Sequence, residues 1–258
     1  MSDTTHLNES KITSKQEFMI LLEKGEKFYS YDVEGLDLSN TNFEGRPLKD
    51  LYLKGINLSG SNLSKCDLTG TTLQNAVLNN VDFTGATLIK SQCKNADFTM
   101  AKLEDANMSD GNFFKAQFMG ANLKKITGSG ANFSMADLSY TKMNNAKIDY
   151  INAELADLTG AVVTNSACEH SNFRGATLVE TDFSQSNLHG ACLSIANAYQ
   201  GNFTNCNMGN INISHTNFVE ANMSGALFIE QEETIIEGAN FKQAIGIGAS
   251  LQRLLSER

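Results

Sequence analysis

From Val33 to Phe228 a large apolar side chain returns at every fifth residue (Val33, Leu38, Phe43, Leu48 and onward) without one insertion or deletion. The 195 residues between the first and last of these centres make 39 steps, hence forty units. Leu, Phe, Met, Ile or Val fills 35 of the 40 centres, and the exceptions are Cys93, Gly128, Ala153, Cys168 and Ala198. Two residues before the centre the side chain is mostly small, as at Ala96, Ala101, Ala106, Ala116 and Ala121. The residue just before the centre is mostly Asp, Asn or Thr, and two after it stand 12 of the protein's 20 glycines. A helix repeats its apolar face every 3.6 residues and a flat strand every 2. A strict period of five predicts a chain that turns a corner once per unit. The centre and the small residue then point inward and the polar residue outward. Gly suits the corner because it accepts positive φ without steric cost.

The units Ala121-Asn-Leu-Lys-Lys, Ala136-Asp-Leu-Ser-Tyr and Ala156-Asp-Leu-Thr-Gly resemble the Ala-(Asp/Asn)-Leu-x-x signature of the pentapeptide-repeat family. The match covers 31–230, about three quarters of the chain. The resemblance implies an all-β, right-handed, four-sided parallel β-helix with four units per coil, hence ten coils. At ~4.8 Å between coils the rod would be roughly 43 Å long. Residues 20 apart then stack in columns, such as Phe113, Phe133, Ala153, Phe173 and Leu158, Leu178, Ala198, Phe218.

The two ends read differently. Residues 1–30 are expected to form an arm and a capping helix, the repeats span 31–230, and 231–258 hold a shifted last coil and a terminal helix. Ser14 with Glu17 is a capping-box pattern, Gly25 a helix stop, and Phe18, Leu21 and Leu22 one apolar face. Such a helix would cover the open end of the solenoid. At the other end Phe241 follows Phe228 by 13 residues, so Gln231-Glu232-Glu233 reads as a three-residue insertion. From Ala249 onward a short helix sets Leu251, Leu254 and Leu255 on one face, as a second cap or a dimer contact. The resemblance supplies the dimer reading, since topoisomerase-protecting bacterial members pair through the C-terminal end.

Composition narrows the function. A hydrophobic fraction of 41%, one Pro and no Trp fit a folded chain without a Pro-rich linker. No apolar run reaches the ~18 residues a membrane span needs, and the polar start lacks a signal-peptide core. A cytoplasmic protein is expected, or one delivered by a specialised secretion system. A net charge of −9 disfavours direct nucleic-acid binding. The five Cys show no CxxC spacing, so neither a disulfide framework nor a zinc site is indicated. Four of them are expected inside, and Cys192 outside.

Candidate chemistry is sparse. The chain has no phosphate-binding Gly loop, GxSxG or HExxH, so no catalytic, cofactor or metal residues are assigned and no cofactor is expected. Glu169 and His189 lie 20 apart, with His170 at the neighbouring corner, and read as a surface ion pair because the outside of a rod is convex. Gly128, in Lys124-Lys125-Ile126-Thr127-Gly128, reads either as a compensated packing gap or as a protruding basic loop.

The surface is more informative. From Gly175 to Phe241 there is no Lys or Arg, against the seven acids Glu180, Asp182, Glu220, Glu230, Glu232, Glu233 and Glu237. Val179, Tyr199 and Val219 align on successive coils as an apolar stripe beside Glu180 and Glu220. Met135, Leu155 and Ile195 lie along another corner, interrupted by Gly175. These features predict a non-catalytic protein-binding scaffold, by resemblance a bacterial regulator or effector-like module. The alternative, also from the resemblance, is a DNA mimic that binds an enzyme such as DNA gyrase. About 43 Å of B-DNA carries about 25 charges at ~1.7 Å each, so a solenoid with 20 acids and 13 bases imitates it weakly.

Overall fold

In the computed structural model, which describes residues 10–228 and 234–256, each unit contributes one parallel bridge to the coil that follows. Asp37 pairs with Asn57, Asn42 with Asn62, Pro47 with Asp67 and Tyr52 with Thr72 before the first ladder resumes at Asn57. Four ladders offset by five residues, each closing at 20, make a four-sided parallel β-helix. The offset is 20 as far as Asn207↔Leu227 and 23 from Asn212↔Ile235 onward. Three extra residues are therefore absorbed between Leu227 and Ile235. The segment expected to hold them, with the predicted acids Glu230, Glu232 and Glu233, lies outside the described residues.

The sequence pattern explains each corner. The polar residue before the centre caps its own turn: Asp37 Oδ1 accepts the Ser39 N–H at 2.9 Å, and Asn132 Oδ1 that of Ser134 at 3.0 Å. Its amide also reaches along the ladder, as where Asn202 Nδ2 donates to Asp182 Oδ1 at 2.9 Å. Two residues after each centre the backbone enters the left-handed region. Gly takes this conformation at Gly60 (φ 66°), but so do Asn80 (58°), Tyr140 (55°) and Ile195 (55°). The corner thus needs positive φ in every described unit, with or without glycine.

The centres and the small residues form one continuous core. Phe98 stacks on Phe118 at 4.7 Å, Phe113 on Phe133 at 5.0 Å, and Phe218 on Phe241 at 5.0 Å, the last across the 23-residue step. Where the small position holds a hydroxyl or thiol, it mostly donates to the carbonyl of a centre one coil below, whereas Thr41 and Thr141 donate to Leu38 O and Leu138 O of their own coil. Thr181 Oγ1 reaches Leu158 O at 2.8 Å, and Cys66 Sγ reaches Phe43 O at 3.0 Å. Cys66 and Cys206 therefore stand in for buried Ser or Thr, which the ladder satisfies.

Gly128 stays in register, its N–H bonded to Lys147 O at 2.8 Å. A Cβ there would meet Ile148 Cγ2 at 3.3 Å and Ile126 Cδ1 at 3.7 Å. The large residue has moved to the small position, so the core is filled from Ile126 and no basic loop protrudes. Ile151 before Ala153 makes the same exchange, with both residues buried.

Short elements close the ends. Strand β1 (Ser10–Lys11) pairs in parallel with β2 (Tyr31–Asp32). Between them lies helix α1 (Lys15–Glu23), where Ser14 accepts the Glu17 N–H at 3.2 Å. Glu17 Oε2 answers to the Thr13 N–H at 3.4 Å, one residue earlier than a strict capping box. Phe18 is buried and stacks on Phe28 at 4.5 Å, which seals the core from below. Helix α2 (Ala249–Ser256) packs on the other end. Leu251 is buried there and Leu254 half-buried, so both are committed to the cap, while Leu255 faces solvent.

Candidate functional site

The rod has four corners, and its candidate sites are ridges on them. Val179, Tyr199 and Val219 do fall on one corner in successive coils, but they are half-buried rather than fully exposed. Tyr199 Oη donates to Glu220 Oε2 at 3.0 Å, and Gln200 Nε2 donates to the same oxygen at 2.8 Å. The phenol is held above its ordinary range, first by this hydrogen bond and then by partial burial and the charges of Glu220 and Glu180. The tyrosine ring is therefore fixed in place beside two carboxylates. Further down the same corner stand Met100, Met119 and Tyr140, all exposed.

The preceding corner holds Met135, Leu155 and Ile195, also exposed. Gly175 does not interrupt them. A Cβ there would meet Leu155 Cδ2 at 2.8 Å and Ile195 Cδ1 at 3.7 Å, so both side chains lie down over the glycine and join the ridge.

The described acids are dispersed. Glu180 and Glu220 share a corner, whereas Asp182 sits on the next face, its Oδ1 bonded to the Ser184 N–H and the Asn202 amide. Glu237 belongs to the shifted coil, where its carbonyl accepts the His215 N–H. Glu169 does not pair with His189. Its carboxylate takes the Asn187 amide, while His189 Nε2 contacts Asn210 Nδ2 at 3.3 Å and its ring meets His170 edge-on at 5.9 Å. His170 stacks instead on the exposed Tyr150 at 5.2 Å. Among the described residues no three His, Cys, Asp or Glu side chains come together in a way that could hold a metal ion. Burial pushes the Cys93 and Cys206 thiols up to about 12, and that of Cys168 well above its usual value.

The sequence pattern predicts a shifted last coil but does not single out its outward apolar residues. There the outward positions Leu227, Ile235 and Ile245 are exposed, where earlier coils mostly show Asn, Asp, Thr or Lys. The signal was available in the polar position before each centre, once the three-residue shift is applied.

The chain is thus a parallel β-helix with one unbroken apolar core, and its polar positions face outward. The pentapeptide repeat model matches eight copies across 52–88, 76–113, 91–127, 112–149, 156–194 and 202–229, and the chain belongs to that family, whose fold is a right-handed β-helix. No curated protein sequence matches it. Among solved structures it is similar to HetL of Nostoc sp. strain PCC 7120, a pentapeptide repeat protein involved in heterocyst differentiation regulation. That likeness has 23% identity, covers 91% of this chain and 97% of HetL, and has a TM-score of 0.42. It is also similar to full-length QnrB1, a plasmid-mediated fluoroquinolone resistance protein, at 19% identity, 80% and 98% coverage and a TM-score of 0.33. Among the described residues no helix is long and apolar enough to cross a membrane.

Proposed function

We propose that the protein is a non-catalytic scaffold that binds a protein partner through its C-terminal coils, at Val179, Tyr199 and Val219 with Glu180 and Glu220. The observation that carries this reading is the Tyr199–Glu220–Gln200 network at 3.0 and 2.8 Å. It immobilises an aromatic ring beside apolar neighbours, so little side-chain freedom remains to be lost on binding. Tyrosine of this kind is enriched at interface hot spots. Capture from the source cell with the wild-type protein and with a Val179→Thr/Tyr199→Asn variant tests it. A partner identified by mass spectrometry should be retained by the first and lost by the second, and equal retention would remove the site.

The alternative is DNA mimicry directed at an enzyme such as gyrase. It draws on the Lys- and Arg-free stretch from Gly175 to Phe241. A supercoiling assay at micromolar protein and rising salt tests it, because a charge-driven contact weakens steeply with ionic strength. The separation of Asp182 and Glu237 from Glu180 and Glu220 breaks up the expected C-terminal acidic patch and favours the scaffold. A homodimer through the C-terminal end is a compatible reading, supported by the exposed Leu227, Ile235, Ile245 and Leu255.

A further inference from the structure

Two adjacent corners carry large apolar side chains in a conformation that such residues disfavour. Met135, Leu155 and Ile195 have φ of 57°, 58° and 55° on one corner, and Met100 and Tyr140 have 59° and 55° on the next. The left-handed region costs an L-residue roughly 1–2 kcal/mol, and a β-branched residue such as Ile195 is an outlier there. Gly or Asn fills 20 of the 40 such positions in this chain, so easier choices were at hand. The five side chains are also 44–61% exposed, with Met135 the least and Tyr140 the most. Each one therefore costs stability twice, through its backbone and through apolar surface left in water. Packing within the monomer covers these side chains only in part. Every described corner needs positive φ, so what distinguishes these positions is that large apolar side chains adopt it while exposed.

Glycines turn these knobs into rails. A Cβ at Gly120 would meet Met100 Sδ at 2.6 Å, one at Gly160 would meet the Tyr140 ring at 2.8 Å, and Gly175 lies under both Leu155 and Ile195. Between the two rails runs one flat face, whose outward residues include Asp137, Asp157, Thr177 and Asn197. Asp137 and Asp157 each spend Oδ1 on their own turn, accepting the N–H of Ser139 and of Thr159 at 2.9 Å. Over the coils that carry the rails, from 91 to 220, this face and its two corners hold six carboxylates (Asp97, Asp137, Glu154, Asp157, Glu180 and Glu220) against Lys94, Lys115 and Arg174, and from 131 onward Arg174 is the one Lys or Arg among them. Arg174 is already paired to Glu154 at 2.7 Å.

We infer that this face is a trough for a basic amphipathic segment of a protein partner, which sets apolar side chains on the two rails and Lys or Arg over Asp137 and Asp157. The inference rests on the scaffold reading and adds to it a second rail and the chemistry of the occupant. Charge complementarity selects this occupant, since the sign excludes a polyanion.

The test uses a labelled synthetic helical peptide with a Lys stripe flanked by Leu, titrated with the full chain by fluorescence anisotropy. Two control peptides replace Lys by Glu, or Leu by Ala. The Lys/Leu peptide should bind and both controls should fail. Leu155→Asn/Ile195→Asn should weaken binding about tenfold or more, ~1.4 kcal/mol, with an unchanged or higher Tm because Asn tolerates positive φ. Asp137→Asn/Asp157→Asn keeps the turn acceptors and should weaken binding at low salt. Equal binding of the Leu-to-Ala peptide, unchanged binding by Leu155→Asn/Ile195→Asn, or no binding of the Lys/Leu peptide would overturn the inference. The partner captured from the source cell separates the two readings. If Leu155→Asn/Ile195→Asn retains it and Val179→Thr/Tyr199→Asn loses it, the trough fails and the scaffold stands. If both variants retain it, both readings fail.

Discussion

At the scale of single residues, the environment of each reactive group sets what it will do. Cys93 and Cys206 are held near 12 by burial, and Cys66 and Cys168 are raised by the same cause, so their thiolates are scarce at neutral pH. Cys192 is half-exposed, with its Sγ 3.2 Å from Ser194 Oγ. Titration with a disulfide reagent should therefore modify one thiol of five in the native protein and all five after denaturation, and Cys192→Ser should abolish the native reaction. Tyr199 gives a second residue-scale expectation. Its neutral phenol donates to Glu220, which raises its pKa. The stability it lends is fully present below the ordinary tyrosine pKa of about 10 and is lost as pH rises through the higher folded value. In an ultraviolet titration, the difference between wild type and Tyr199→Phe isolates this phenol. Glu220→Gln should bring its midpoint back down toward the ordinary value, and an unmoved midpoint would mean that the hydrogen bond does not set it.

At the scale of the five-residue unit, inward volume is conserved even where the pattern breaks. The Ala-x-Leu arrangement puts the large side chain third, whereas Ile126-Thr127-Gly128 puts it first, and Ile126 with Ile148 fills the space that a leucine in place of Gly128 would need. Ile126→Ala should cost about 2–5 kcal/mol by opening a cavity, and Gly128→Leu about 1–3 kcal/mol by overpacking. The double variant restores the common Ala-x-Leu order and should be less destabilised than the sum of the two by at least about 1 kcal/mol, because sites in contact are not additive. Denaturant unfolding of the four proteins checks this, and strict additivity would show that the two positions do not share one volume. The unit is also where the sequence was most legible. Its apolar, polar and small positions predicted the inside, outside and corner directly. The sequence could not show that positive φ is required where no glycine stands. Tyr140 and Ile195 look like ordinary surface residues until the backbone shows their strain.

At the scale of the whole molecule, the period fixed the coil and the 20-residue stacking, because each coil can bury its faces only on the next. The candidate site was less legible, since outward positions are free of that constraint. Val179, Tyr199 and Val219 align as expected yet are half-buried, because a side chain beside a corner lies along the rod as well as away from it. The joining of Leu155 to Ile195 over Gly175 depends on side-chain direction, which no spacing reveals. The C-terminal end shows the same limit. Leu251, Leu254 and Leu255 shared one helical face in sequence, but the first is buried and the second half-buried on the core, which leaves Leu255 exposed at 41%. The larger apolar surface lies on the last coil, at Leu227, Ile235 and Ile245, exposed at 61%, 41% and 58%. If this end pairs two copies, those residues carry the contact, since an exposed apolar cluster marks an interface more than scattered residues do. Sedimentation equilibrium should then show a dimer for the wild type and a monomer for Leu227→Asn/Ile245→Asn, with the Tm of the monomeric coils little changed. Leu251→Ala should instead lower the Tm, because it removes the cap, while a protein that remains folded still associates. A wild type that is monomeric at high micromolar concentration would remove the pairing and leave the last coil as an open face.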